Sequence, residues 1–334
     1  MITSRITPSV VLPGLLVPQL QTTNFEKYIG QKTNYGGMAE EMLYITTVNH
    51  INSETSVGQQ WAQELTKQSY SLGQIGLPFY RLNAYVEYDE NERAKFEELS
   101  NGVSLPTFLE NLAKQGINQR KHQGILFGFD TTKEQGILSN ATIATLPADS
   151  NAKQTLTEYN TFELQQFLAK LIRDVMDSTY GMVEPVVFAS STRVINYIKS
   201  AIIPVGNYLE AGGVGTVGEV FDRSVTEWLG AGKIQFVTDS LLQGVANTGK
   251  TDKIVIIATG LKNQDEVVTE DTNENLVGQH NSINYNTMYD AGEGLKRMQR
   301  PDDFGIYSTL YTYKMTPGYT LRKEAVITCD IPYN

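Results

Sequence analysis

The sequence predicts an α+β fold, with its helices placed early and most of its strands late. Three observations carry this reading. In NTFELQQFLAKLIRDVMDSTYG (160–181), Leu164, Phe167, Leu168, Leu171, Ile172, Val175 and Met176 recur at helical spacing as one continuous stripe. From residue 205 onward the texture changes to loops and β-branched runs such as KIVIIATGL. The 334 residues, 40% of them hydrophobic, are enough for one large or two ordinary domains with a buried core.

Taken in order, the chain opens with MITSRITPSVVLPGLLVPQLQTTNF. Pro13 and Pro18 interrupt its apolar run, which predicts an extended arm rather than a helix. The run has no small-x-small cleavage site and is too short to span a bilayer. Its apolar residues, Leu12, Leu15 and Leu16 among them, need a partner surface on the same chain or a neighbouring one. Residues 52–76 are polar and glycine-bearing, with Trp61, Leu65 and Tyr70 set among Gln, Ser and Thr. This reads as a long projecting hairpin or loop whose few apolar residues rest on another subunit. Trp61, one of only two tryptophans, is its expected anchor.

PFYRLNAYVEYD then reads as a strand and ENERAKFEELS as a helix. A longer helix follows from Ser104 to about residue 122. Ser104 is its expected N-cap, Pro106 lies in the first turn, and Leu105, Phe108, Leu109, Leu112 and Ala113 form its stripe. Gly116 in its middle costs about 1 kcal/mol against Ala, which suggests a close packing partner there. In the 160–181 helix, Asn160 and Glu163 fit a capping box and Gly181 a C′ position. VEPVVFAS reads as a buried strand and SSTRVINYIKS as a capped helix. IQFVTDSLL and KIVIIATGL are strands, and the C-terminal stretch supplies two more around a Thr316-Pro317-Gly318 turn.

The formal charge of −10 argues against tight wrapping of nucleic acid, though not against a wall that only faces it. A single cysteine, Cys329, excludes an internal disulfide framework and a cysteine-based zinc cluster. His50, His122 and His280 lie far apart and match no metal spacing. No cofactor and no metal are expected.

One motif has a chemical meaning. GVANTGKT (244–251) matches the phosphate-cradling pattern G-x-x-x-x-G-K-[ST]. That chemistry requires a helix directly after the loop, so that backbone N–H groups meet the phosphates. Here Asp252-Lys253 and the β-branched run Ile254–Ile257 follow, which predicts a strand. Asp239 is the only acidic residue ending the preceding apolar strand, and it comes too soon to serve as a magnesium carboxylate on a neighbouring strand. The expected reading is an inert strand-to-strand turn. No nucleophile elbow is present, VGTVGE lacks the full dinucleotide fingerprint, and Asp302-Asp303 reads as a solvated turn.

The order of parts resembles the Hong Kong 97 type major capsid proteins of tailed phages. SLPTFLENLAKQGINQRKHQGILFGFDTTKEQGILSN (104–140) resembles the family's spine helix and the turn after it. VEPVVFASSTRVINYIKS (183–200) and GKIQFVTDSLLQGVANTGKTDKIVIIATG (232–260) resemble the helix and strands of its axial domain. GYTLRKEAVITCDI resembles its last peripheral-domain strand. The resemblance implies an N-terminal arm and lead-in at 1–51, an extended loop at 52–80, a peripheral domain at 81–155 and 301–334 with the spine helix at 104–122, and an axial domain at 156–300. It implies a structural protein, not an enzyme. Copies would self-assemble into hexamers and pentamers of an icosahedral shell, enclosing double-stranded DNA without sequence-specific binding. It would be made in the host cytoplasm and found in the virion, without contact to a membrane. Portal and decoration proteins are expected partners, and the short arm suggests that any scaffold is a separate protein. An encapsulin-type compartment, a tail structural protein and a nucleotide-dependent enzyme remain as alternatives.

Overall fold

The computed structural model describes residues 31–33, 41–52, 69–99, 103–130, 133, 135–140, 142–144, 155–178, 183–201, 234–245, 251–261, 284–286, 295–301, 306–320 and 326–332. In chain order the elements are β1 (Gln31–Thr33), β2 (Met42–Asn52), β3 (Ser69–Pro78), β4 (Tyr80–Asp89), α1 (Glu90–Leu99), α2 (Leu105–Leu126), α3 (Ile137–Asn140) and β5 (Thr142–Ala144). They continue with α4 (Thr161–Ser178), β6 (Val183–Ser190), α5 (Thr192–Ser200), β7 (Gln235–Thr238), β8 (Thr251–Leu261), β9 (Asn284–Asn286), β10 (Leu295–Pro301), β11 (Ile306–Met315) and β12 (Val326–Pro332).

Two sheets organise the chain. A five-stranded sheet runs β5-β12-β8-β6-β7, and a three-stranded antiparallel sheet runs β10-β11-β4. The larger one is buried on both faces. Ile254, Ile256 and Ala258 of β8, Phe188 of β6, and Ile327, Cys329 and Ile331 of β12 face one core with α4 and α5. The alternate residues Val255, Ile257, Val187, Ala189, Val237 and Val326 face a second core. There they meet Ala113, Ile117, Ile125 and Leu126 of α2 and Tyr311, Tyr313 and Met315 of β11. Double burial explains the unbroken apolar run IVIIA in β8, since neither side of the strand meets water.

The capping predictions resolve differently at the two long helices. Asn160 and Glu163 form the expected box: Glu163 N–H donates to Asn160 Oδ1 at 2.9 Å, and Asn160 N–H to Glu163 Oε2 at 2.8 Å. Ser104 occupies the N-cap of α2 but its side chain accepts no cap hydrogen bond. Gly181 lies outside the described residues.

Several expectations require correction. At Gly116 an added Cβ would meet nothing within 4 Å, so no close partner explains that glycine. The close approach in α2 is at Gly124, where an added Cβ would lie 2.0 Å from Phe129 Cζ. Gly318 in turn fits against the α2 backbone, its added Cβ 2.3 Å from the Ile125 oxygen. Its N–H donates to the Gly124 carbonyl at 3.2 Å. These contacts let α2 run to Leu126, beyond the end expected near residue 122. β7 and β8 do not pair with each other, because β6 lies between them, parallel to β7 and antiparallel to β8.

Three segments pair across the domain ranges that the resemblance implies. β12 pairs with β8 and β5 in the five-stranded sheet, not with β11. Its buried residues on both sides suit a strand covered on both faces. β5 belongs to that sheet with it. β10, whose exposed Arg297, Met298 and Gln299 suit an edge strand, pairs with β11 in the three-stranded sheet.

Candidate assembly surface and glycine-rich loop

The connection from β7 to β8 holds the phosphate-loop match. Residues 246–250, Lys250 included, lie outside the described part. Its ends are informative. Thr251 begins a strand, not a helix, so no helix follows the motif directly. Gly244 has φ 67°, a left-handed conformation that glycine adopts without strain. Its N–H donates to Asp252 Oδ1 at 2.9 Å. Asp252 is fully buried. It also accepts from Ser191 Oγ at 2.5 Å and from Arg193 Nε at 2.6 Å and Nη2 at 2.5 Å. Burial pushes this carboxyl up, but Arg193, Ser191 and the Gly244 amide outweigh it and hold Asp252 below its ordinary value. An internal carboxylate therefore occupies the first amide of the motif. It ties the loop to the N-terminus of α5, where Ser191 also caps Val194 N–H at 3.4 Å.

Asp239, weighed above as a magnesium ligand, has a structural role too. Its Oδ1 accepts from Leu241 N–H at 2.9 Å, and its Oδ2 lies 2.6 Å from Nε2 of buried His122. The pair joins α2 to the segment after β7. His50 falls in β2 and His280 outside the described residues. Among the described residues no group of His, Cys, Asp and Glu could hold a metal ion, and no helix is long and apolar enough to cross a membrane.

The second candidate is the ribbon formed by β2 and β3, which pair antiparallel with each other and with no other strand among the described residues. The expected loop from residue 52 is thus the far end of a hairpin whose first strand starts at Met42. Its opening, MLYITTV, is rich in the aromatic and β-branched residues that suit a strand. The register places Met42, Tyr44 and Leu72 on one face and Leu43, Ile45, Ile75 and Leu77 on the other. Met42, Tyr44, Leu72 and Ile75 are 40%, 60%, 61% and 43% exposed. Met42 and Tyr44 lie over Gly76, each 3.2 Å from where its Cβ would be. A two-stranded ribbon with apolar residues on both faces is marginal in water. Of the anchors expected from the sequence, only Tyr70 falls on it, paired with Ile51. Trp61, Leu65, Leu12, Leu15 and Leu16 lie outside the described residues.

No protein-family model and no curated protein sequence matches the chain. Solved structures do. The capsid of Myoviridae Phage XM1 superposes with TM-score 0.70 at 13% identity, covering 96% of each chain. A chain of Mycobacterium phage Che8 gives 0.58 at 14% identity, covering 98% of both. The capsid of an empty GTA particle with C5 symmetry gives 0.56 at 10%, covering 95% of this chain and 100% of that one. The chain has the α+β Hong Kong 97 type capsid fold.

Proposed function

We propose that this chain is the major capsid protein of a tailed phage, a structural subunit without enzymatic activity. Copies assemble into hexamers and pentamers that tile the icosahedral head around genomic double-stranded DNA. The single observation that carries this reading is the exposed apolar ribbon of β2 and β3 on a subunit of capsid fold. In this reading the ribbon is the extended loop, the three-stranded sheet with α2 is the peripheral domain, and the five-stranded sheet with α4 and α5 is the axial domain. Trp61, Leu65 and Tyr70, together with Leu12, Leu15 and Leu16 of the arm, are further interface residues. The net charge of −10 suits a wall that encloses DNA without gripping it. Portal, decoration and separate scaffolding proteins complete the particle.

The test is a ribbon variant, Tyr44→Ser with Leu72→Ser. Burying a Leu side chain contributes about 2 kcal/mol, so losing both contacts should weaken each interface by roughly three decades. The isolated subunit should melt as before, while sedimentation velocity shows free subunits in place of shells. Normal shell yield from the variant, or loss of the folded subunit, would refute the assignment.

A further inference from the structure

β4 is a ten-residue strand with one edge open among the described residues. It pairs along its whole length with β11, without a break in register. Its two faces differ cleanly. Leu82, Ala84 and Val86 meet the core shared with α2, while Arg81, Asn83, Tyr85 and Glu87 are exposed on the other side. Open edges recruit further strands, and proteins blunt them with clustered basic residues, proline or a bulge. The sheet's other edge, β10, fits that rule: its seven residues include Lys296, Arg297 and Arg300 and end at Pro301. β4 has one basic residue, no proline and no bulge.

The sequence of β4 is complementary to itself when reversed. With a second β4 lying antiparallel along the open edge and Ala84 opposite Ala84, Arg81 faces Glu87 of the partner subunit. Glu87 likewise faces the partner's Arg81, so the ion pair forms twice. Asn83 and Tyr85 oppose each other on the same face, and Leu82 and Val86 on the core side. Opposite charges and apolar pairs placed directly across a ladder stabilise it, and like charges weaken it. Both charges are available. Arg81 is exposed and forms no ion pair among the described residues, and Glu87 accepts there only from the Tyr85 hydroxyl, at 2.8 Å. Slipping by two residues in one direction sets Arg81 against Tyr85. In the other it meets Asp89, which is already engaged in capping Glu92 N–H at 2.6 Å. The helix that follows, α1, exposes both signs, Arg93 and Lys95 as well as Glu90 and Glu92, so the selective pair is the one on the strand.

We propose that β4 pairs with β4 of a second copy across a two-fold axis, joining two three-stranded sheets into one continuous sheet. An isologous contact of this kind joins two subunits and stops there. It therefore cannot build a hexamer or a pentamer. Within the shell reading above, on which its placement rests, it links a subunit of one ring to a subunit of the next. The matched charges fix the register of the pair.

Charge exchange tests the pairing. Arg81→Glu sets like charges against each other at both contacts, and so does Glu87→Arg. Each variant alone should raise the subunit concentration needed for shell assembly, read by light scattering at low ionic strength, by about tenfold. The melting temperature of the free subunit should not move. Both substitutions in one chain should restore assembly close to the wild-type concentration. An equal mixture of the two single variants should do the same, a rescue that only a reciprocal contact between copies allows. Unchanged assembly by either single variant, or a mixture no better than its parts, overturns the pairing and leaves the shell reading standing. A wild type that stops at dimers, with the same rescue, keeps the pairing and overturns the shell reading. A wild type that never associates overturns both. Should a charge-reversed subunit fail to fold, the neutral variants Arg81→Gln and Glu87→Gln decide the matter. Both must weaken assembly, and unchanged assembly by either is contrary.

Discussion

The backbone N–H of Gly244 donates to the buried carboxylate of Asp252 at 2.9 Å, a bond that ties the start of the glycine-rich loop to the strand after it. The residue that follows the motif thus engages the motif's first amide, and a strand rather than a helix follows. Calorimetry with ATP and magnesium should therefore show no saturable binding by the wild type. Lys250→Ala should leave particle formation unchanged. Saturable binding that disappears in Lys250→Ala would contradict this.

Asp252 also sets an acid limit. Arg193, Ser191 and Gly244 hold its folded value below the unfolded one, which is near about 3.9. A depressed carboxyl contributes its full stability above the unfolded value and loses it as pH falls through the folded one. Urea unfolding of the unassembled subunit should weaken from pH 5 toward pH 2. Asp252→Asn should weaken less over that range, after an initial loss of about 3 kcal/mol at pH 7 from the broken Arg193 pair. Parallel pH profiles for the two proteins would count against it.

Two glycines should respond in opposite directions. Gly116 sits in open space on α2, so Gly116→Ala should raise stability by about 1 kcal/mol. Gly318→Ala would push a methyl into the backbone of Ile125 and should destabilise by about 2 kcal/mol or more. Chemical denaturation of each variant reads both signs, and a stable Gly318→Ala subunit would mean that the turn does not seat on α2.

Burial pushes the Cys329 thiol up to about 12, with Asp330 adding to the effect. Thiolate is the reactive form, so a maleimide should not label the folded subunit at pH 8 but should label it once unfolded. Fast labelling under native conditions would show that β12 is open to solvent.

Much of the fold was legible because its signals are local. The stripe of α4, the Asn160–Glu163 box and the β-branched run after Thr251 each depend on neighbours in sequence, and each appears as read. Sheet membership was not legible in the same way. β10, β11 and β12 look alike as strands, and only long-range burial sends β12 under α4 and leaves β10 at an open edge. Gly116 and Gly124 are likewise indistinguishable in the sequence, since the reason for Gly124 is Phe129 and its partner turn lies near Gly318. The strand after the loop was legible; the bond from Gly244 to Asp252, eight residues on, was not. The ribbon was not legible as such: Tyr44 falls in the stretch read as arm and lead-in and Leu72 in the stretch read as a projecting loop, and only the pairing of β2 with β3 brings them onto one face.

The central claim is self-assembly into a closed shell around DNA. The most direct measurement is negative-stain electron microscopy of particles purified from cells expressing the chain with its phage, combined with nuclease treatment and analysis of the protected contents. The account predicts icosahedral shells enclosing double-stranded DNA that survives nuclease. Tubes or rings, shells filled with a protein cargo, or a monodisperse free subunit would contradict it.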